Sequence, residues 1–70
     1  MEKSMYFVVD WASAKKYSDA LQALDVPYLL ETPAEIPTLK PGQLAFVIPS
    51  LPIRVYVKVR TLFGQDGERY

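Results

Sequence analysis

The sequence predicts a small α+β domain, a single layer of sheet with helices packed on it in the order β-α-β-β-α. Three observations carry this reading. Met5–Val9 (MYFVV) and Leu44–Ile48 (LAFVI) are unbroken runs of residues that favour strands. Between them, Trp11–Leu24 is rich in Ala, Leu and Lys and repeats its apolar residues at helical spacing. The stretch LQALDVPYLLETPAEI (21–36) then reads as a helix end, an Asp-Val-Pro turn, a short apolar strand and a Thr-Pro-Ala-Glu-Ile loop.

Met5–Val9 is apolar at every position, which predicts a strand covered on both faces or nearly so. Asp10 follows as a helix N-cap, its carboxylate placed to accept N–H bonds from the first turn, with Ser13 as the competing cap. In the helix, Ala14, Tyr17, Leu21 and Leu24 form one face, and Lys15 and Asp19 are an i,i+4 pair on the other. Asp25 and Pro27 end the helix. Val26–Glu31 is expected as a second strand, with Pro27 at its start or on a sheet edge, because proline cannot donate to a ladder. Residues 32–43 hold three of the six prolines and form a stiffened loop. The third strand, Leu44–Ile48, is approached through Pro41-Gly42.

Ile53–Phe63 admits two readings. As a strand, Ile53, Val55, Val57 and Val59 alternate with Arg54, Tyr56, Lys58 and Arg60, which would give β-α-β-β-β with a C-terminal hairpin. As a helix, Ser50 caps, Pro52 lies in the first turn, Gly64 ends it, and Leu51, Val55, Val59, Leu62 and Phe63 make one stripe. Residues 1–4 and 65–70 are expected as loose tails of the one domain that 70 residues allow.

Composition bounds function more than it assigns it. Half the residues are hydrophobic and 23% are charged, which is globular rather than disordered. Eight basic and eight acidic residues cancel, so bulk charge points to neither nucleic acid nor membrane. The apolar runs are far shorter than the roughly 20 residues that span a bilayer, and the N-terminal residues lack a secretory pattern, so a cytoplasmic protein is expected. With no Cys and no His, the sequence offers no disulfide, no Cys or His metal ligand, and neither the commonest general base nor the best nucleophile. No catalytic residue, metal site or cofactor is therefore predicted. Glu31 and Glu35 are the nearest carboxylate pair and read as solvated loop acids.

The segments AKKYSDALQALDVPYLLETPAEI and PGQLAFVIP resemble a family of small bacterial selenium- or sulfur-carrier domains. The resemblance covers Tyr6–Pro49. It rests on Asp10 as helix cap, the Val26-Pro27 turn, Thr32-Pro33 with Glu35-Ile36 in the loop, and Gly42 with Leu44-Ala45 opening the third strand. It implies a closing C-terminal helix, which favours the helical reading of Ile53–Phe63. It also implies a reactive cysteine immediately before Gly42, where this chain has Pro41. A carrier needs a thiolate to hold the transferred atom, and proline has none. Asp25 stands where the family often has glycine, so the helix must close differently here.

Together these features predict a non-enzymatic binding or adaptor module whose partner is a protein or a second copy of the chain. The candidate partner-binding residues are Trp11, because Trp dominates binding hot spots, and Thr32, Pro33, Glu35, Ile36, Pro41 and Gly42 of the stiff loop. A helical Ile53–Phe63 would be apolar nearly all round, which predicts a homodimer. The alternative is a small nucleic-acid-binding protein. In the strand reading, Arg54, Tyr56, Lys58 and Arg60 form a basic stripe with an aromatic, able to hold phosphates and stack a base. A helix would split that stripe. An accessory role in sulfur or selenium metabolism rests on the resemblance.

Overall fold

The computed structural model describes all residues 1–70. Its elements are β1 (Met5–Asp10), a 3₁₀ turn over Trp11–Ser13, α1 (Ala14–Ala23), β2 (Leu29–Glu31), β3 (Gln43–Ile48), α2 (Ile53–Phe63) and β4 (Glu68–Arg69). The strands form one antiparallel sheet in the order β2-β3-β1-β4. Both helices are connections that skip a strand: β1-α1-β2 steps over β3, and β3-α2-β4 steps over β1. Two such split βαβ units make the ferredoxin-like arrangement. The α+β class is as the sequence predicts, and α2 excludes the β-α-β-β-β alternative.

The central pair is in continuous register from Met5↔Ile48 to Asp10↔Gln43. Strand periodicity then divides its side chains between two faces. On one face Phe7, Val9, Leu44, Phe46 and Ile48 meet Leu21 of α1 and Val59 and Phe63 of α2. Aromatic rings dominate this core: Phe63 stacks on Phe7 at 4.4 Å between centroids and on Tyr17 at 4.7 Å. The predicted α2 stripe is observed, with Val59 and Phe63 buried and Leu51, Val55 and Leu62 packed beside them.

On the opposite face, Ala45 and Val47 are covered by Ile36 and Leu39 of the 32–42 loop, with Tyr6 and Val8 alongside. The loop is thus the second wall of the sheet. Its fold explains the Thr-Pro-Ala-Glu-Ile sequence. The Thr32 carbonyl accepts the N–H groups of Glu35 and Ile36, both at 3.0 Å. Glu35 reaches back to accept from the Thr32 hydroxyl (2.5 Å) and N–H (3.2 Å). This reciprocal bonding has the logic of a capping box, and it turns Ile36 under the sheet. At the loop's end the Gln43 N–H donates to the Lys40 carbonyl at 3.0 Å, with Pro41 and Gly42 at the turn's centre. Gly42 has φ +85°, as a type II turn requires at its third residue.

Several expectations are corrected. The second strand is Leu29–Glu31 rather than Val26–Glu31. Val26 is instead buried, and with Asp25 it closes α1: the Val26 N–H donates to the Leu21 carbonyl (3.0 Å) and the Asp25 N–H to the Gln22 carbonyl (3.1 Å). This is a Schellman closure with Asp25 left-handed at φ +57°, the position usually given to glycine. Asp10 is the N-cap of the 3₁₀ turn and Ser13 that of α1, the two positions the sequence predicts, but neither side chain makes a capping hydrogen bond. Pro52, not Ser50, is the N-cap of α2; its carbonyl accepts from Val55 (3.0 Å) and Tyr56 (2.9 Å).

Neither terminus is a loose tail. The Ser4 N–H donates to the Ile48 carbonyl (2.9 Å), Glu68 and Arg69 pair with Tyr6 and Met5, and the Tyr70 N–H donates to the Ser4 carbonyl (3.0 Å). The approach to β4 is tight: a Cβ on Gly67 would lie 2.9 Å from the Phe7 ring, so only glycine fits without displacing the core.

The left-handed Asp25 gives a direct check. Asp25→Gly removes the Cβ strain at that position, and stability by urea denaturation should rise by about 0.5–1 kcal/mol after the larger unfolded-state entropy of glycine is offset. No change or a loss would mean that the aspartate is not strained there.

Candidate interaction surface

Trp11 leaves the end of β1 and is 66% exposed. Its backbone is fixed, since the Trp11 N–H donates to the Gly42 carbonyl at 2.8 Å. That bond sets three of the predicted partner-binding residues side by side: Trp11, Pro41 and Gly42, all exposed, at the end of the sheet where β1 stops and β3 starts. An exposed indole on a rigid mount loses little entropy on binding, which suits a docking anchor.

The other four predicted residues are taken up by the fold to different degrees. Ile36 is buried against Ala45 and Val47. Thr32 and Pro33 are half-buried, and Thr32 is engaged with Glu35. Glu35 is exposed, and the Thr32 hydroxyl, then the Thr32 N–H, hold its carboxyl below the usual range. The loop therefore buries Ile36 and Leu39 and exposes Ala34, Glu35, Pro37, Thr38 and the Lys40–Gly42 end.

The basic set does not form one stripe. Arg54 and Lys58 lie one turn apart on the exposed side of α2. Tyr56 turns inward, packs near Phe7, and accepts from the Gly67 N–H at 3.2 Å. Arg60 donates to Asp66 at 3.2 Å. A sheet that stacks bases needs an open face bearing aromatics, and the face without helices is here covered over β3 by Ile36 and Leu39, with Tyr6 and Val8 of β1 left partly buried.

Sequence reasoning missed the polar cluster around Glu31. This residue is 5% exposed, the one buried charged side chain, rather than a solvated loop acid. It accepts from Lys3 Nζ at 2.6 Å and from the Tyr70 hydroxyl at 2.7 Å. Lys3 also lies 5.1 Å from the centroid of the Tyr70 ring, which meets Tyr6 edge-on. Residues near both ends of the chain thus converge on β2, the sheet edge farthest from β4. The partners are 28 and 39 residues from Glu31, so no local pattern reveals them. Lys3, then Tyr70, lower the carboxyl's proton affinity, and Glu31, then Tyr70, raise that of Lys3.

Other features carry little chemistry. Lys15 and Asp19 pair at 2.8 Å as predicted, both well exposed. No three acidic residues are grouped to hold a metal ion. No helix is long and apolar enough to cross a membrane. A recess of about 260 Å³ is lined by Tyr6, Glu35, Ile36, Thr38, Arg69 and Tyr70, among others. Exposed apolar residues occur at Ile53 and Val57 on α2 and at Leu29 and Leu30 on β2. No protein-family model, curated protein or solved structure matches the chain.

The Glu31 cluster sets a pH dependence. Glu31's folded pKa lies below its ordinary 4.5, so its stabilisation is full above 4.5 and is lost as pH falls through the folded value. Lys3's lies above 10.5, so its share is full below 10.5 and is lost as pH rises through the folded value. Glu31→Gln should therefore be less stable than the wild type at neutral pH, with the two denaturation curves converging below pH 4.5. Parallel curves across that range would place the carboxylate's role elsewhere.

Proposed function

We propose that this chain is a non-enzymatic docking module that binds a protein partner through Trp11 and the adjoining Pro41-Gly42 turn. The observation that carries the reading is the 66% exposed indole, tied through its backbone to the turn in which the resembled carrier domains would bear their cysteine. In those domains this end of the sheet would deliver a bound atom. Here Pro41 rigidifies the turn and supplies no thiol, so what remains is a shaped, partly apolar surface. An accessory role in sulfur or selenium metabolism is the setting the resemblance suggests, with a cytoplasmic location expected from the sequence pattern. The partner's identity decides it.

The sole tryptophan makes the proposal measurable. A partner recovered with the wild-type chain from native-cell extract and then purified should shift the Trp11 emission to the blue and quench its exposure to iodide. Trp11→Ala should weaken that binding about 30-fold or more, the effect of losing a hot spot of about 2 kcal/mol, with an unchanged circular dichroism spectrum. Lys58→Ala, at an exposed position of α2, should not. Equal affinity for the wild type and Trp11→Ala would refute this site.

A further inference from the structure

The zero net charge of the chain conceals a segregation. The two helices, which cover the same face of the sheet, carry Lys15, Lys16, Arg54, Lys58 and Arg60 against one acid, Asp19. The remaining three cations and seven acids lie in the strands, loops and ends. On the helical side, Asp19 pairs with Lys15 and Asp66 reaches Arg60. Arg54 and Lys58 make no ion pair. A face of one sign raises the local concentration of oppositely charged partners.

An apolar row runs beside these two cations. Ile53, Val57 and Thr61 follow one another at i,i+4 spacing on α2, and Arg54 and Lys58 form the adjacent row. Ile53 is 81% exposed and Val57 49%. The Thr61 hydroxyl donates to the Val57 carbonyl at 2.9 Å, so it is already satisfied. The solvent side of α2 thus sets exposed hydrocarbon next to positive charge that no acid of the chain neutralises.

We propose that this side of α2 docks an acidic amphipathic segment of a partner protein, whose carboxylates meet Arg54 and Lys58 and whose apolar residues cover Ile53 and Val57. Charge complementarity selects the sign of the occupant. The apolar row selects protein over other polyanions. Nucleic acid meets cations with its phosphates and would leave Ile53 against a charged backbone. A helix lying in a membrane surface turns a broad apolar face to the lipid, with Trp, Phe or Leu on it. The broad apolar face of α2 is instead packed on the sheet through Val59 and Phe63. A second copy docked α2 to α2 about a two-fold axis would set a basic face against a basic face. The surface shares no residue with Trp11 or the Pro41-Gly42 turn, so the two sites stand or fall separately.

The probe is a synthetic helical peptide of Leu and Glu with its leucines along one face. At low salt it should shift the amides of Ile53–Thr61 and saturate with Kd on the order of 0.1 mM. Raising the salt from about 0.05 M to about 0.5 M should weaken it several-fold, because exposed charges are screened. Polyglutamate should bind more weakly, since it brings no apolar residues. Ile53→Ser should stay folded, as Ile53 is exposed, and should weaken the Leu/Glu peptide about tenfold while leaving polyglutamate unchanged. Arg54→Glu combined with Lys58→Glu should abolish binding of both. A Leu/Glu peptide that leaves α2 unshifted at about 1 mM overturns the inference, as does Ile53→Ser binding it as tightly as the wild type. Tighter binding of single-stranded RNA or of phosphatidylglycerol vesicles, with the shifts again on α2, also overturns it and reassigns the face to that polyanion.

Discussion

The burial of β3 from both sides is the constraint around which the rest of the molecule is arranged. Leu44, Ala45, Phe46, Val47 and Ile48 are each 1% exposed or less. Five consecutive buried residues on a pleated strand need two covers, because alternate side chains point to opposite faces. A 70-residue chain has only enough helix for one cover. The helices take the face bearing Phe46. The 32–42 loop takes the face bearing Ala45 and Val47, with Ile36 and Leu39 as its apolar inserts.

That division explains features that would otherwise look functional. A stiff, proline-rich loop can serve as a wall because its backbone groups are satisfied internally, through Thr32 with Glu35 and through the Lys40–Gln43 turn. The same wall takes Ile36 out of contact with any partner and covers the β3 part of the face on which bases would stack. At the wall's end, Trp11 with Pro41-Gly42 stays exposed. The Glu31 cluster completes the enclosure: Tyr70 passes near Tyr6 and, with Lys3, ties the termini to the far edge of the sheet.

Elements defined by local periodicity were legible in the sequence, whereas those defined by long-range pairing were not. The runs MYFVV and LAFVI and the Tyr17/Leu21 face mark their elements because burial imposes a period on neighbouring residues. Ile53–Phe63 illustrates the limit: alternating β-branched residues favour a strand locally, yet Val55, Val59 and Phe63 at helical spacing complete the core, and tertiary packing overrides propensity. β4 was unreadable because two residues carry no pattern and its pairing depends on Gly67 approaching Phe7. At the candidate site, Trp11 was recognisable by residue type, but its adjacency to Gly42 comes from the β1–β3 register. Glu31 was misread because its partners are distant in sequence.

Native-state hydrogen exchange tests the two-sided enclosure of β3 most directly. The account predicts that the β3 amides and the loop N–H groups of Ile36 and Leu39, bonded to Thr32 and Ile36, exchange with the same free energy and the same denaturant dependence. They would then open only when the whole domain unfolds. Loop amides that exchange through a separate low-energy opening, with β3 still protected, would contradict it, because β3 would then persist with one face uncovered.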